Sequence, residues 1–458
     1  MDTQNRFFAF VICLVAGLCP TQSNGAPDLK IYEAVQSAIS RSPAIKVAEA
    51  QTANFNWKKT EAFSAQLPNL SVSSNYLLAK KYLITDVKMP GSNTELSFPQ
   101  IIPTSALVAN LQIPVFDGFA TTNKVAAATD SYESAKLNLD WQKFQVERDV
   151  ILQFYRAVAA EQLLAVAKQS QRALEDHLKD TRLFKGAGMS THYDVLRVEV
   201  QASEARSEVM NAEDNVAIAR IKLAELMGEN IDVTGVRLRV PQGQLPQLKI
   251  DLIKSEVDKI QGNQSGNTEH FIQRKDLEAL QLKLDGLSKS ASAASRHYFP
   301  KLSLFAQYQY YNNKNDKFSD AGSYRNSYST GVSLNWTLFD GLTSTAKFNE
   351  IASEKSELEY SVQMRRQRAL VDLEFWRRKF LYFVNLTQAR TGDVGKSAES
   401  VRLARAGLKE GTRTMSDLLD AESELFRARA GAINAQVSSI ESLLNLEVAM
   451  GKSLYKFW

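Results

Sequence analysis

A chain of 458 residues with 55 Lys or Arg and 51 Asp or Glu has a formal charge of only +4. That near-balance argues against a strongly acidic partner, and the length admits two or three ordinary domains or one elongated, duplicated one. Both cysteines, Cys13 and Cys19, fall within residues 1–25, which read as a secretory signal. Arg6 supplies the n-region charge, Phe7 to Leu18 form an apolar run, and Ser23 and Gly25 precede a cut at Ala26. Leu18 ahead of Cys19 does not fit a lipoprotein signal. The expected mature chain is exported and has no cysteine, so disulfides and thiolate chemistry are excluded. No later stretch reads as the roughly 20 apolar residues of a membrane-spanning helix.

A short helix is predicted near Leu29 to Ser40 and a longer one from Pro43 to Ala65. Pro68 stops it, and the apolar period falls from about 3.6 to 2. Leu70, Val72, Ser74, Tyr76 and Leu78 then share one face of a strand, with Ser71, Ser73 and Asn75 on the other. A second strand sets Leu107, Ala109, Leu111, Ile113 and Val115 against Asn110 and Gln112. The connection, with Pro90-Gly91-Ser92-Asn93 and Pro103, reads as a loop. Phe116-Asp117-Gly118 leads into a proline-free helical pattern over 119–185, in which Val125, Tyr132, Leu139, Val146, Val150 and Phe154 recur at sevens and then fours. About 65 residues at 1.5 Å each make a helix of about 100 Å, and sustained seven-residue spacing argues for coiled-coil packing. A shorter helix, 194–227, ends at Gly228, the usual C-terminal stop.

The pattern then recurs. Gly188 matches Gly411, Thr191 matches Thr414, Asp194 matches Asp417, and Phe116-Asp117-Gly118 matches Phe339-Asp340-Gly341, all at one offset (411 − 188 = 223). One spacing at independent landmarks marks a tandem duplication. The first repeat is 26–228, with a β-hairpin over 68–116; a linker follows over 229–267. The second repeat, 268–451, contains a helix from about Thr268 to Ser295, a hairpin over 300–339, a long helix over 342–408 and a shorter one over 417–450, before a tail at 452–458. Its strands place Leu302, Leu304, Ala306, Tyr308 and Tyr310 on one face, then Tyr328, Thr330, Val332, Leu334, Trp336 and Leu338. Ile351, Leu358, Val362, Ala369, Leu373, Trp376, Phe380 and Phe383 continue one stripe along its long helix.

Each strand is long enough, at about 11 residues, to cross a bilayer at a tilt, and alternation of apolar and polar faces fits a barrel with a wet interior. Four strands cannot close a membrane barrel, because the smallest use about eight. An open edge in lipid leaves backbone groups unpaired at several kcal/mol each. Strands that span a membrane here therefore require oligomerisation.

These landmarks carry a resemblance. Val115-Phe116-Asp117-Gly118, Leu338-Phe339-Asp340-Gly341, Gly411-Thr412-Arg413-Thr414 and the following Asp417-Leu418-Leu419-Asp420-Ala421, in order and duplicated, resemble the TolC family of outer-membrane efflux and secretion channels across nearly the whole mature chain. The resemblance implies an α+β membrane protein, a homotrimer whose four strands per copy make a twelve-stranded β-barrel in the outer membrane of a Gram-negative bacterium. The long helices would form an α-barrel tunnel through the periplasm, with 229–267 as its equatorial segment. It implies a periplasmic adaptor and an inner-membrane ABC or proton-driven exporter as partners, type I protein secretion or multidrug efflux as the task, and no catalysis and no cofactor. The Gly-Thr-Arg-Thr form leans toward members that serve protein secretion.

By the same resemblance the turns at Gly188, Thr191, Gly411, Thr412 and Thr414 lie at the periplasmic tip and meet the adaptor. Arg413 would belong to a closing latch with Asp194. Asp417 and Asp420, three apart on one side of a helix, would form two carboxylate rings at the pore that favour cations. The position five before the arginine, often tyrosine in the best-known members, is Leu408, which implies a latch with fewer polar links. A plainer role is open to Asp194 and Asp417, since Thr191-x-x-Asp194 and Thr414-x-x-Asp417 both match a capping box. Arg413 also reads as a solvated surface charge.

Other constellations fail. His177, His192, His270 and His297 have no metal-ligand spacing, and no catalytic triad, phosphate loop or dinucleotide fingerprint appears. Aromatic residues follow strand and helix periods rather than nucleic-acid stacking, and Trp458 follows a helix and reads as packing. The rival readings are a periplasmic adaptor, which would carry one hairpin flanked by soluble β-domains, and a secreted structural coiled coil, which the alternating strands oppose.

Overall fold

The computed structural model describes residues 29–78, 83–88, 95–100, 103–228, 272–312, 314 and 317–455. The signal reading with its two cysteines, the 229–267 segment and Trp458 lie outside them. The chain opens with α1 (Ile31–Arg41) and α2 (Pro43–Ser64), whose proline occupies the first turn, where a missing N–H costs no helical bond. β1 (Asn69–Tyr76) and β4 (Ser105–Phe116) pair antiparallel, and between them a separate ribbon forms from β2 (Leu83–Lys88) and β3 (Glu95–Gln100). The loop expected here is thus partly strand. Leu83-Ile84-Thr85 pairs with Phe98-Pro99-Gln100, and these β-branched and aromatic residues were outweighed in the sequence by the turn formers around them.

Next come α3 (Ala120–Gly186) and α4 (His192–Met227), then α5 (Lys275–Ser295), β5 (Lys301–Asn312), β6 (Tyr324–Asn335), α6 (Thr343–Lys409) and α7 (Met415–Met450). The helix expected from Thr268 starts at Lys275 among the described residues. The preceding turn is tied elsewhere: the Gln273 N–H donates to Met450 O at 2.7 Å, and the Arg274 guanidinium grips Asp276 at 2.8 and 3.0 Å.

The main sheet has the order β1-β4-β5-β6. Its registers align the alternating faces across all four strands: Val72 faces Ala109, Ala109 faces Tyr308, and Tyr308 faces Tyr328. Leu70, Leu111, Ala306 and Thr330 make the next row, and Ile113, Leu304 and Val332 another. One face is therefore mostly apolar, interrupted by Thr330, Ser74 and Asn326, and Leu70, Val72, Tyr328, Val332 and Leu334 on it are exposed within one copy. Pro114, which cannot donate to a ladder, sits at a register shift in β4. β6 ends at Asn335, short of the Leu338 expected from alternation. Its last partner is Lys301, directly after Pro300, so residues 336–338 have no strand to pair with, and Trp336 Nε1 donates to Tyr298 O at 2.9 Å instead.

Both long helices have 67 residues, about 100 Å. Part of each predicted stripe is buried, Val362, Ala369, Leu373 and Phe380 on α6 and Val146, Val150, Phe154 and Ala157 on α3, while Val125, Tyr132, Leu139, Ile351, Leu358, Trp376 and Phe383 are half-buried in one copy. The main core lies midway along α3, where Ile45 of α2, Ile151, Leu223 of α4 and Ile440 of α7 meet. One window of α3 is apolar enough to pass for a membrane span, contrary to the sequence reading, but half of it is buried in the protein, which accounts for its composition. Beside this core Arg148 Nε lies 2.6 Å from Glu447 Oε2, with both side chains buried, and Glu447 Oε1 accepts the N–H groups of Leu454 and Tyr455 at 2.6 and 2.8 Å. Burial pushes the Glu447 carboxyl upward, and Arg148 opposes that shift.

At the two strand-to-helix junctions the backbone is left-handed at consecutive residues, Gly118 and Phe119 (φ 70° and 65°) and Gly341 and Leu342 (φ 68° and 70°). The Asp117 carboxylate accepts the Thr121 N–H at 2.7 Å, and Asp340 accepts the Ser344 N–H at 3.0 Å, so each aspartate of Phe-Asp-Gly caps a long helix. The glycines differ in surroundings: a Cβ on Gly118 would lie 2.5 Å from Phe299 Cβ, whereas one on Gly341 meets nothing within 4 Å among the described residues. Gly341→Ala should therefore cost only the left-handed penalty, about 1–2 kcal/mol, and Gly118→Ala clearly more. Denaturant midpoints of the two variants measure this difference, and equal losses would contradict it.

Candidate functional site

The site is built where each long helix turns back. α3 passes to α4, and α6 to α7, through connections in which the same backbone bonds recur at the 223 offset. Met189 N–H donates to Phe184 O and Thr412 N–H to Gly407 O, both at 2.8 Å, while Gly188 N–H reaches Lys185 O at 3.0 Å and Gly411 N–H reaches Leu408 O at 3.2 Å. This is a Schellman closure, which requires a left-handed residue, and Gly188 and Gly411 supply it at φ 75° and 72°.

Both following helices open on a complete capping box. Thr191 Oγ1 accepts the Asp194 N–H at 3.2 Å while the Asp194 carboxylate takes the Thr191 N–H at 2.9 Å. Thr414 and Asp417 repeat this at 3.2 and 2.9 Å. The Thr191 hydroxyl, and then its backbone N–H, hold the Asp194 carboxyl below the usual aspartate range, and Ser190 adds a bond at 3.3 Å. For Asp417 the Thr414 backbone contributes most, then its hydroxyl, with the Arg413 charge assisting.

An Arg–Glu brace ties the two arms of each hairpin, Arg182 to Glu199 at 3.2 Å and Arg405 to Glu422 at 2.9 Å (405 − 182 = 422 − 199 = 223). The hairpins then meet each other. Leu419 of α7 packs with Leu178, Val195 and Val198 of the first hairpin. Buried His177 of α3 places Nε2 3.6 Å from Glu422, and His177 first and Arg405 next hold that carboxyl low. Arg197 of α4 reaches Asp420 of α7 at 3.8 Å.

Arg413, Asp417 and Asp420 line one open groove together with Lys396, Glu399 and Glu424. The stem of Arg413 lies against Gly407, where a Cβ would be 2.6 Å from its Cγ. Asp194 is not brought to Arg413 within one copy; its carboxylate serves Thr191 and Ser190. Leu408 packs at the edge of a cluster of Val401, Ala404, Leu418, Ala421 and Leu425. Arg197 and Glu422 were absent from the sequence reading, and His177 entered it only as one of the histidines without metal-ligand spacing. The offset could have exposed Arg197, because it is the repeat mate of Asp420 (420 − 197 = 223). Among the described residues no group of three or more His, Cys, Asp or Glu is arranged to hold a metal.

The model of the outer membrane efflux protein family matches residues 34–229 and again 269–452, one match for each half of the fold. The chain belongs to that family. It is 23% identical over 333 residues to the outer membrane protein TolC of Vibrio cholerae, spanning 70% of this chain and 72% of that one. It is 21% identical over 329 residues to the proteases secretion protein PrtF of Dickeya chrysanthemi, spanning 69% and 67%. The crystal structure of VceC from Vibrio cholerae shares the fold at a TM-score of 0.73 and 15% identity, covering 93% of this chain and 97% of that one. This efflux-family chain is thus an outer-membrane exit duct with a large periplasmic part, and its family is one of transport.

The caps give a signed pH test. Asp194 and Asp417 have depressed native values, so their stabilisation is fully present above the unfolded value of about 3.9. It is lost as pH falls through the lower native values. Hydrogen-exchange protection of the two tip turns, taken relative to the intrinsic rate at each pH, should hold from neutral pH to about 5 and fall below about 4. Thr414→Ala should lose about 1 kcal/mol of local protection at neutral pH. Unchanged exchange in that variant would contradict the cap assignment.

Proposed function

We propose that three copies assemble into one conduit, β6 of each pairing with β1 of the next. The observation that carries this reading is that α6 is apolar on two opposite faces. Met364, Val371, Phe375 and Tyr382 are exposed, and each lies two residues beyond a buried one, Val362, Ala369, Leu373 and Phe380. Two residues are about 200° of rotation, so a second heptad stripe points away from the protein's own core and calls for another copy. Two copies would give eight strands, a barrel whose interior side chains fill. Three give twelve and leave a passage, in agreement with the family resemblance.

In such an assembly the six hairpin tips ring the periplasmic mouth. Arg413 has no carboxylate within ion-pair distance among the described residues of its own copy, which leaves it available to latch onto Asp194 of a neighbour, while Asp417 and Asp420 face the passage. The turns at Gly188, Thr191, Gly411, Thr412 and Thr414 dock a periplasmic adaptor, and an inner-membrane ABC or proton-driven pump supplies the energy. PrtF is a protein of protease secretion, and likeness to it favours protein export as the task.

Wild-type protein in detergent should run as a trimer and conduct in planar bilayers. Phe375→Asp, which places a charge on the exposed stripe and leaves the buried one intact, should run as a folded monomer and conduct nothing. A wild-type monomer, or a Phe375→Asp trimer indistinguishable from wild type, would refute the assembly.

A further inference from the structure

Arg197 and Asp420 occupy the same place in the two halves. Each lies six residues beyond its N-cap threonine (197 − 191 = 420 − 414 = 6), and their side chains approach to 3.8 Å. Neither is buried in the fold: both side chains are exposed, 38% and 67%, and the Arg197 charge also helps hold the Asp194 carboxyl low, after the Thr191 hydroxyl and N–H. One turn nearer the tip, the matching positions are both aspartates, Asp194 and Asp417, and both carboxylates are engaged in caps. Charge at the first level is thus uniform and bound to backbone. At the second level it alternates in sign.

We infer that Arg197 and Asp420 form an alternating ring at the mouth, three guanidiniums between three carboxylates, and that Arg197 is a selectivity-determining residue of the duct. The inference rests on the trimeric reading above. A ring of carboxylates alone concentrates cations, whereas alternating charges a few ångströms apart cancel at the distance of a passing ion. The ring at Asp420 is therefore close to neutral, and the duct at this level admits acidic and basic cargo alike. A pair this exposed adds little stability, so removing one partner changes the field in the passage and leaves the hairpins folded.

The test is planar-bilayer recording across a potassium chloride gradient, with hexamminecobalt(III) as a trivalent blocker on the tip side. Arg197→Gln should shift the reversal potential toward that of potassium and lower the blocking concentration about tenfold or more, since net carboxylate charge is unmasked. Asp420→Asn should shift the potential toward chloride. The double variant, and Arg197→Lys, which keeps the charge, should both behave like wild type. If Arg197→Gln matches wild type in both readouts while Asp420→Asn shifts, the carboxylate acts alone and the inference is overturned. Silence of both single variants overturns it too. Failure of the wild-type protein to conduct would instead defeat the duct reading on which the inference stands.

Discussion

The rest of the structure depends on a sheet that cannot exist alone in lipid. Four strands in register present one mostly apolar face, and among the described residues the two outer strands, β1 and β6, each offer an unpaired edge. In hydrocarbon every unpaired backbone group costs several kcal/mol, and a strand edge carries a row of such groups. Closure with other copies, as proposed above, would satisfy that demand. It also obliges whatever follows each strand to have a sidedness suited to a ring. The left-handed pairs Gly118-Phe119 and Gly341-Leu342 convert strand into helix at both exits, and in the proposed assembly the second apolar stripe of α6 would supply the ring with a helical wall.

Duplication lets one solution serve twice, and the two halves show which parts are under physical constraint. Turn bonds, left-handed glycines, capping boxes and the Arg–Glu brace all recur at the same offset. These are the elements that any tight helix reversal needs. The halves part company where a residue faces its counterpart or the other half. Phe299 crowds Gly118 but nothing crowds Gly341, and arginine on one side meets aspartate on the other. Local backbone chemistry is kept, while surfaces between halves are free to diverge.

That division also explains what could be read from the sequence. Long helices, strand faces, caps and junctions are local or periodic, so Val362 to Phe380, Val72 beside Ser73, and Thr414 before Asp417 announced themselves. The end of β6 depends on where β5 begins, and β2 with β3 depends on a pairing that turn formers obscure. The partner of Asp420 belongs to a helix 223 residues away and carries the opposite charge, so no local pattern signals it. Asp194 is held by its own local cap, which Thr191-x-x-Asp194 signals, whereas the place of Leu408 at the edge of a cluster is decided by tertiary packing.

The central pairing of the sheet has a temporal consequence. β4 and β5 join across about two hundred residues, Ser105 opposite Asn312 (312 − 105 = 207). Hairpin β1–β4 is therefore synthesised and exported long before the strand that covers its second edge. Throughout that interval an apolar face and a bare edge are available to any other extended chain, the condition that favours aggregation. Contacts of such high sequence separation also form slowly. The topology thus builds in a waiting period, during which the first half holds an edge that only its own second half can cover.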